Sequence, residues 1–101
     1  MADEVVQRQL RVANREGLHA RPAALIVGLA NRFHSRIELV KGEQRVDAKS
    51  IMDIMTLAAG QGTVLCLEVR GSDAQAAADA IEKMIVEELR DEDTRPSTRE
   101  P

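Results

Sequence analysis

The segment Gly17-Leu18-His19-Ala20-Arg21-Pro22-Ala23 gathers the residue types with the most chemical potential in this chain. It sets an imidazole at the joint between a turn and the start of a helical pattern. A helix N-terminus offers N–H groups without internal partners and a partial positive charge, so it favours an anion. Arg21 adds a permanent cation with several donors. Pro22 is tolerated in a first helical turn, and Gly17 permits a backbone conformation that other residues resist. A neutral imidazole is a nucleophile, and at an unperturbed pKa of about 6.5 it is mostly neutral near pH 7. Beside an anion site, such a ring is suited to carry a phosphoryl group. Spacing alone leaves a second reading open, in which His19 is simply a histidine that begins a helix.

Other reactive side chains carry less. His34, fifteen residues on, falls at the expected end of the same helix, where it would meet the last carbonyls. His19 and His34 make a poor metal pair with no third ligand nearby, so no metal site is expected. Cys66 lies on the parity opposite Leu65 and Leu67 and reads as a passive strand cysteine. Ser50 precedes Ile51-Met52-Asp53, a serine followed three residues later by an acid, which fits a capping box. A cap explains the serine fully; phosphorylation is the functional alternative, since a helix N-terminus tolerates the added charge.

The elements that must hold these groups follow from periodicity. Residues 4–13 alternate, with Val6, Leu10 and Val12 on one face and Arg8 interrupting it. Asn14-Arg15-Glu16-Gly17 reads as a turn. From Ala20 the period becomes helical, with Ala23, Ile26, Ala30 and Phe33 on one face and the helix ending near Phe33. Residues 36–41 alternate again, and Gly42 turns them into a partner strand through Val46 and Ala48. A short helix over Ile51–Leu57 is stopped around Gly60 and Gly62, read as C-cap and turn residues. Residues 63–70 form a strand with Leu65, Leu67 and Val69 inward. Ser72 opens a last helix that buries Ala78, Ile81, Ile85 and Leu89. The order β-α-β-β-α-β-α gives an α+β fold, with three helices on one face of a small antiparallel sheet.

Composition bounds the partners. The 101 residues make one domain, 44% hydrophobic and 31% charged. Phe33 is the one aromatic residue, which excludes base-stacking platforms, and the net charge of −3 argues against nucleic acid. Residues 87–101 hold three basic and six acidic side chains and so carry the whole net charge, leaving 1–86 balanced. Residues 1–90 are the expected domain, and 91–101 read as a charged, solvated, disordered tail. One cysteine fits a reducing compartment, and neither a signal peptide nor a membrane span is expected, so the protein is expected in the cytoplasm.

Two motifs in register resemble the HPr family, the histidine-containing phosphocarriers of the bacterial phosphotransferase system. Gly17-Leu18-His19-Ala20-Arg21-Pro22-Ala23 is similar to that family's active-site motif. Lys49-Ser50-Ile51-Met52, then Met55, Leu57 and Gly60-Gln61-Gly62-Thr63, resembles its regulatory-serine region. The resemblance covers residues 4–90 and implies an open-faced β-sandwich, a four-stranded antiparallel sheet in the order 1-4-2-3. It implies that His19 accepts a phosphoryl group from enzyme I, ultimately from phosphoenolpyruvate, and passes it to a IIA domain for sugar uptake or regulation. Arg21 would steady that group, and Leu18, Ile51, Met52 and Met55 would form the partner surface with it. The chain would be a monomeric phosphoryl-transfer intermediate with no cofactor and no turnover of its own. In part of the family a serine-specific kinase/phosphorylase modifies the position of Ser50, which gives the alternative of a regulatory adaptor, of nitrogen or carbon-catabolite type, read out through Ser50. An acylphosphatase-like enzyme is a third reading, for which the Gly60-Gln61-Gly62 loop is too short a phosphate cradle. Two departures bear on partners: Asp53 stands where many members have glycine, and Asn14-Arg15-Glu16 looks closer to the nitrogen-regulatory branch.

Overall fold

A computed structural model describes residues 4–89; the expected tail lies outside them. Four strands, β1 (Glu4–Arg11), β2 (Arg36–Lys41), β3 (Gln44–Asp47) and β4 (Val64–Gly71), form one antiparallel sheet in the order β1-β4-β2-β3. Helices α1 (Ala20–Ala30), α2 (Ile51–Thr56) and α3 (Ala74–Lys83) supply the second layer, and α3 runs on into a π-helical turn over Met84–Glu88. The expected element order and strand order are both present.

The core lies between the layers. Ile37, Leu39, Leu65, Leu67 and Val69 point from the two central strands against Ile26, Ile81 and Ile85, all fully buried. Alanines at Ala23, Ala30, Ala74, Ala77 and Ala78 are buried at 0% exposure, small enough to let α1 and α3 lie close together and on the sheet. Arg8 interrupts the apolar face of β1 because it serves α3: its guanidinium reaches Asp79 at 3.0 Å and Glu82 at 2.6 Å. The other sheet face is open. There Arg45 bridges Glu38 at 2.8 Å and Glu68 at 2.5 Å, which offsets the like-charge pairing of those two carboxylates across β2 and β4. Cys66 sits on this open face, and burial pushes its thiol above the ordinary value, away from the reactive thiolate.

Two helix boundaries, and the role of His34, differ from the sequence reading. Helix α1 ends at Ala30, not near Phe33, and Asn31 caps it with its side-chain amide donating to the Val27 carbonyl at 2.9 Å. Phe33 therefore packs half-buried against the core edge from the connection. His34 does not serve the helix end; its backbone N–H donates to Asp73 Oδ2 at 2.9 Å. The last helix is capped by Asp73, one residue later than Ser72. Asp73 makes no side-chain cap bond because its carboxylate is committed elsewhere, accepting from the His34 N–H, the Ser35 N–H at 2.9 Å and the Ser35 hydroxyl at 2.5 Å.

That clamp ties the start of β2 to the start of α3. The Ser35 hydroxyl, with the two backbone N–H groups, holds the Asp73 carboxyl down to about 2. An unfolded Asp titrates near 3.9. The clamp therefore contributes its full stability above about pH 4 and loses it as pH falls toward 2. Asp73→Ala is expected to lower the melting temperature at pH 7, and the gap between the variant and the original protein is expected to narrow as melts are taken from pH 4 to pH 2. A gap that does not depend on pH over this range would show that the carboxylate charge is not what holds the segment.

Candidate functional site

The loop between β1 and α1 is shaped by Asn14. This side chain is fully buried; its amide donates to the Gly17 carbonyl at 2.5 Å while the Gly17 N–H donates to the Asn14 carbonyl at 3.1 Å. The turn so closed carries Gly17 at φ +72°, in the left-handed region. A Cβ at Gly17 would overlap the carbonyl oxygen of Ala59 and the Cα of Gly60, so only glycine lets the two segments touch. The next residue completes the join: the Leu18 N–H donates to the Ala59 carbonyl at 2.9 Å.

From this join the chain turns into α1 with His19 at the N-cap. Its carbonyl accepts the first helical bond, from the Ala23 N–H at 2.8 Å, but its ring makes no capping hydrogen bond. The imidazole is 42% exposed, with Nε2 3.3 Å from Oε1 of Glu16. The first turn of α1 contains no acidic side chain, so the positive end of an eleven-residue helix is not neutralised from within. Arg21 is exposed on that turn, and Pro22 is buried beneath it. A shallow cleft of about 320 Å³ opens beside the ring, with Glu16, Met55, Ala58 and Gly60 on its walls.

Of the four side chains expected at a partner surface, three are exposed and one is buried. Met52 is 74% exposed, and Ile51 and Met55 are exposed beside it on α2. Leu18 is not part of that surface: it is 4% exposed, drawn inward by the bond from its N–H to Ala59. Leu25, one turn beyond Arg21, is also exposed, on α1. Its i+4 spacing from Arg21 was the available signal.

Helix α2 is set at both ends. Ser50 is its N-cap, and its hydroxyl accepts from the Asp53 N–H at 3.2 Å, as the capping-box spacing predicts. The reciprocal half is different: the Asp53 carboxylate accepts from the Asp47 N–H at 3.3 Å, while the Ser50 N–H donates to the Asp47 carbonyl at 3.1 Å. At the other end the Lys41 ammonium donates to the Leu57 carbonyl at 2.8 Å, a cation on a helix C-terminus. The left-handed residue that ends α2 is Ala58, with φ +49°, not Gly60. Gly62 does take the turn role, at φ +88°, with its N–H donating to the Val12 carbonyl at 2.8 Å. Ala58 was missed from sequence because alanine gives no sign of a left-handed conformation. Among the described residues no group of three or more His, Cys, Asp or Glu could hold a metal ion, and no helix is long and apolar enough to cross a membrane.

Known proteins are similar to this chain in sequence and fold. A family model described as the PTS HPr component phosphorylation site matches residues 6–87. A phosphocarrier protein HPr from Treponema pallidum is 51% identical over 88 residues, covering 87% of this chain and all of its own. The crystal structure of a phosphocarrier protein HPr from Bacillus anthracis is 46% identical, with a TM-score of 0.77 over 80% of this chain and 96% of that one. The Bacillus subtilis catabolite-repression protein Crh, whose crystal structure is described as a domain-swapped dimer, is 44% identical, with a TM-score of 0.66 over 83% of this chain and 95% of that one.

Gly17 and Ala58, the two left-handed residues that line or approach the His19 cleft, have opposite expected effects on substitution. Gly17→Ala places a Cβ against backbone at a positive φ and is expected to destabilise by more than about 2 kcal/mol. Ala58→Gly relieves a left-handed alanine, about 1–2 kcal/mol, against about 0.4–1 kcal/mol of added unfolded-state entropy. It is expected to stabilise by roughly 0.5–1 kcal/mol in denaturant unfolding. Loss of stability in Ala58→Gly would mean that the left-handed turn carries no strain.

Proposed function

The chain belongs to the HPr family of phosphotransferase-system phosphocarriers, and on that premise we propose that His19 is its transient phosphoryl acceptor, loaded by phospho-enzyme I and unloaded onto a IIA domain that serves sugar uptake or regulation. One observation carries this reading: an exposed imidazole at the N-terminus of α1 whose ring is not consumed by capping. The helix end attracts the phosphoryl oxygens, and Arg21 supplies a fixed charge for the same oxygens. In the transfer, a lone pair on the His19 ring forms the new N–P bond as the N–P bond of the donor breaks. The electron pair of the broken bond returns to the donor's nitrogen. Exposed Ile51, Met52 and Met55, with Leu25, give an apolar docking surface next to the ring, and flexible methionines suit more than one partner. The protein acts as a single chain in the cytoplasm.

Ser50 is the regulatory position in this reading, taken by a serine-specific kinase. It is half-exposed at the cap of α2 and next to the apolar surface, so a phosphate there would add charge where partners dock. The regulatory-adaptor alternative rests on this same serine.

Incubation with enzyme I and labelled phosphoenolpyruvate is expected to give acid-labile label, and His19→Ala is expected to abolish it without loss of fold. Persistent acid-labile label in that variant would remove His19 from the role. Arg21→Ala is expected to slow transfer by about 2–4 kcal/mol of lost transition-state stabilisation, roughly 30- to 900-fold. A change below about threefold would show that Arg21 does not act on the phosphoryl group.

Phosphorylation of Ser50 is expected to change thermal stability little. The gain from the helix end is opposed by Asp53, whose carboxylate lies over the same turn. In Asp53→Gly the same phosphate is expected to raise the melting temperature at low salt. Equal stabilisation in both backgrounds would show that Asp53 exerts no field at Ser50.

A further inference from the structure

We propose that the open face of the sheet carries an anion site at Arg36 and Arg70, suited to a small phosphate monoester. The two guanidiniums take the phosphoryl oxygens, and the Glu38 carboxylate accepts from a hydroxyl on the ester's carbon skeleton. The site is separate from the His19 surface and does not depend on the role of that histidine.

The argument begins with strand register. Alternation sends Ile37, Leu39, Leu67 and Val69 into the core, so Arg36, Glu38, Glu68 and Arg70 stand on the other face of β2 and β4. Arg36 lies directly opposite Arg70, and Glu38 directly opposite Glu68. Like charges directly opposed across strands are unfavourable. The carboxylate pair is resolved within the protein: Arg45 bridges both, and Gln7 donates to Glu68 Oε2 at 2.8 Å. The arginine pair is not resolved in this way. With both Glu68 oxygens and Glu38 Oε1 engaged, Glu38 Oε2 stands 4.0 Å from Arg36 Nε, and the Arg36 side chain remains 74% exposed. Among the described residues the Arg70 guanidinium has no ion pair.

A recess of about 250 Å³ opens over this pair, lined by Arg36, Arg45 and Arg70, by Glu38 and Glu68, and by Val5. Three guanidiniums against two carboxylates leave the recess positive. Each guanidinium presents a fork of donors that matches phosphoryl oxygens, and two of them on hydrogen-bonded neighbouring strands grip a dianion from two sides. A monoester, with its two charges, matches the two arginines; a diester, with one, leaves a cation uncompensated. Val5 faces Arg70 from β1 and is 46% exposed, an apolar edge on which a short carbon skeleton can rest. Glu38 Oε2 is then the acceptor left for a hydroxyl on that skeleton.

The recess lies away from the reactive end of the sheet. Thr63, just before β4, accepts at its carbonyl from the Val12 N–H where the chain leaves β1 toward His19. Arg70 is near the far end of the same strand, roughly 20 Å from Val64 at about 3.4 Å per residue. A ligand held there leaves the His19 ring and α2 uncovered.

The test is a titration of the full-length, 15N-labelled protein with inorganic phosphate, glycerol 1-phosphate and glycerol, with sodium chloride at matched ionic strength as the control. Saturable shifts are expected at the backbone amides of Val5, Arg36, Val69 and Arg70 with both phosphates, and tighter binding of glycerol 1-phosphate than of inorganic phosphate. Glycerol and chloride are expected to give none. Arg36→Gln and Arg70→Gln are each expected to weaken binding at these amides roughly tenfold, the loss of one charge-assisted hydrogen bond. Shifts around His19, where a helix end also attracts anions, form a separate isotherm that both variants are expected to leave unchanged. Both side chains are exposed, so the variants keep the core. Without phosphate at low salt, each is expected to melt no lower than the original protein, and phosphate is expected to raise the melting temperature of the original protein more than that of either variant. Absence of saturable shifts on the open face, equal shifts with chloride, or equal affinity in the two variants and the original protein would overturn the site. Lower melting of the variants without phosphate would show that the arginine pair is already compensated and would overturn it too. Equal affinity for inorganic phosphate and glycerol 1-phosphate would remove the contact assigned to Glu38.

Discussion

The site depends on a single backbone join: the loop of residues 14–18 pressed against Ala59 and Gly60. Gly17 has no Cβ to hold the segments apart, and the Leu18 N–H closes the gap with a bond of 2.9 Å to the Ala59 carbonyl. Everything reactive hangs from that join. It sets where α1 begins, and so where His19 sits relative to the free end of the helix. It pulls Leu18 into the core, and it forms the cleft from two segments more than forty residues apart in the chain.

The same join couples the His19 ring to helix α2. Ala58 and Ala59 follow α2 directly, so the position of that helix and the position of the active loop are fixed together. Ser50 and Lys41 hold the two ends of α2, one accepting an orphan N–H and the other donating to an orphan carbonyl. A six-residue helix has little intrinsic stability, and these side-chain bonds, with burial of Ile54 and Leu57, keep its exposed Ile51, Met52 and Met55 in place. The chain thus exposes apolar side chains on a rigid element near the His19 ring.

Away from His19, Arg8 pairs with Asp79 and Glu82 between β1 and α3, and Arg45 with Glu38 and Glu68 on the open sheet face. Asp73, the carboxylate most depressed among the described residues, serves the clamp between β2 and α3. Around His19 the charged groups are exposed, Glu16 and Arg21, and the helix end supplies a field that disappears only if the helix unwinds.

Local pattern made most of this fold legible. Alternation in Val6–Val12 and Leu65–Val69, the shift to helical period at Ala20, and the Ser50–Asp53 spacing are short-range properties, and each reappears as an element or a cap. The motif around His19 was equally legible, because glycine, proline and a helix start are local constraints. What sequence could not settle were choices made between distant segments. Helix α1 stops at Ala30 because the chain must turn so that His34 and Ser35 can offer their N–H groups to Asp73. Ser72 yields the cap to Asp73, whose carboxylate is fixed by that same contact. Leu18 reads as surface beside a reactive histidine, yet its N–H finds Ala59 and the side chain follows inward. Ala58 adopts a left-handed turn that its residue type does not announce, because the chain must leave α2 and reach Gly17. The sequence by itself determined the elements and the residue types gathered around His19, since both are written in neighbouring residues. Only the tertiary structure decided where the elements end and which side chains face solvent, since those depend on partners forty residues away.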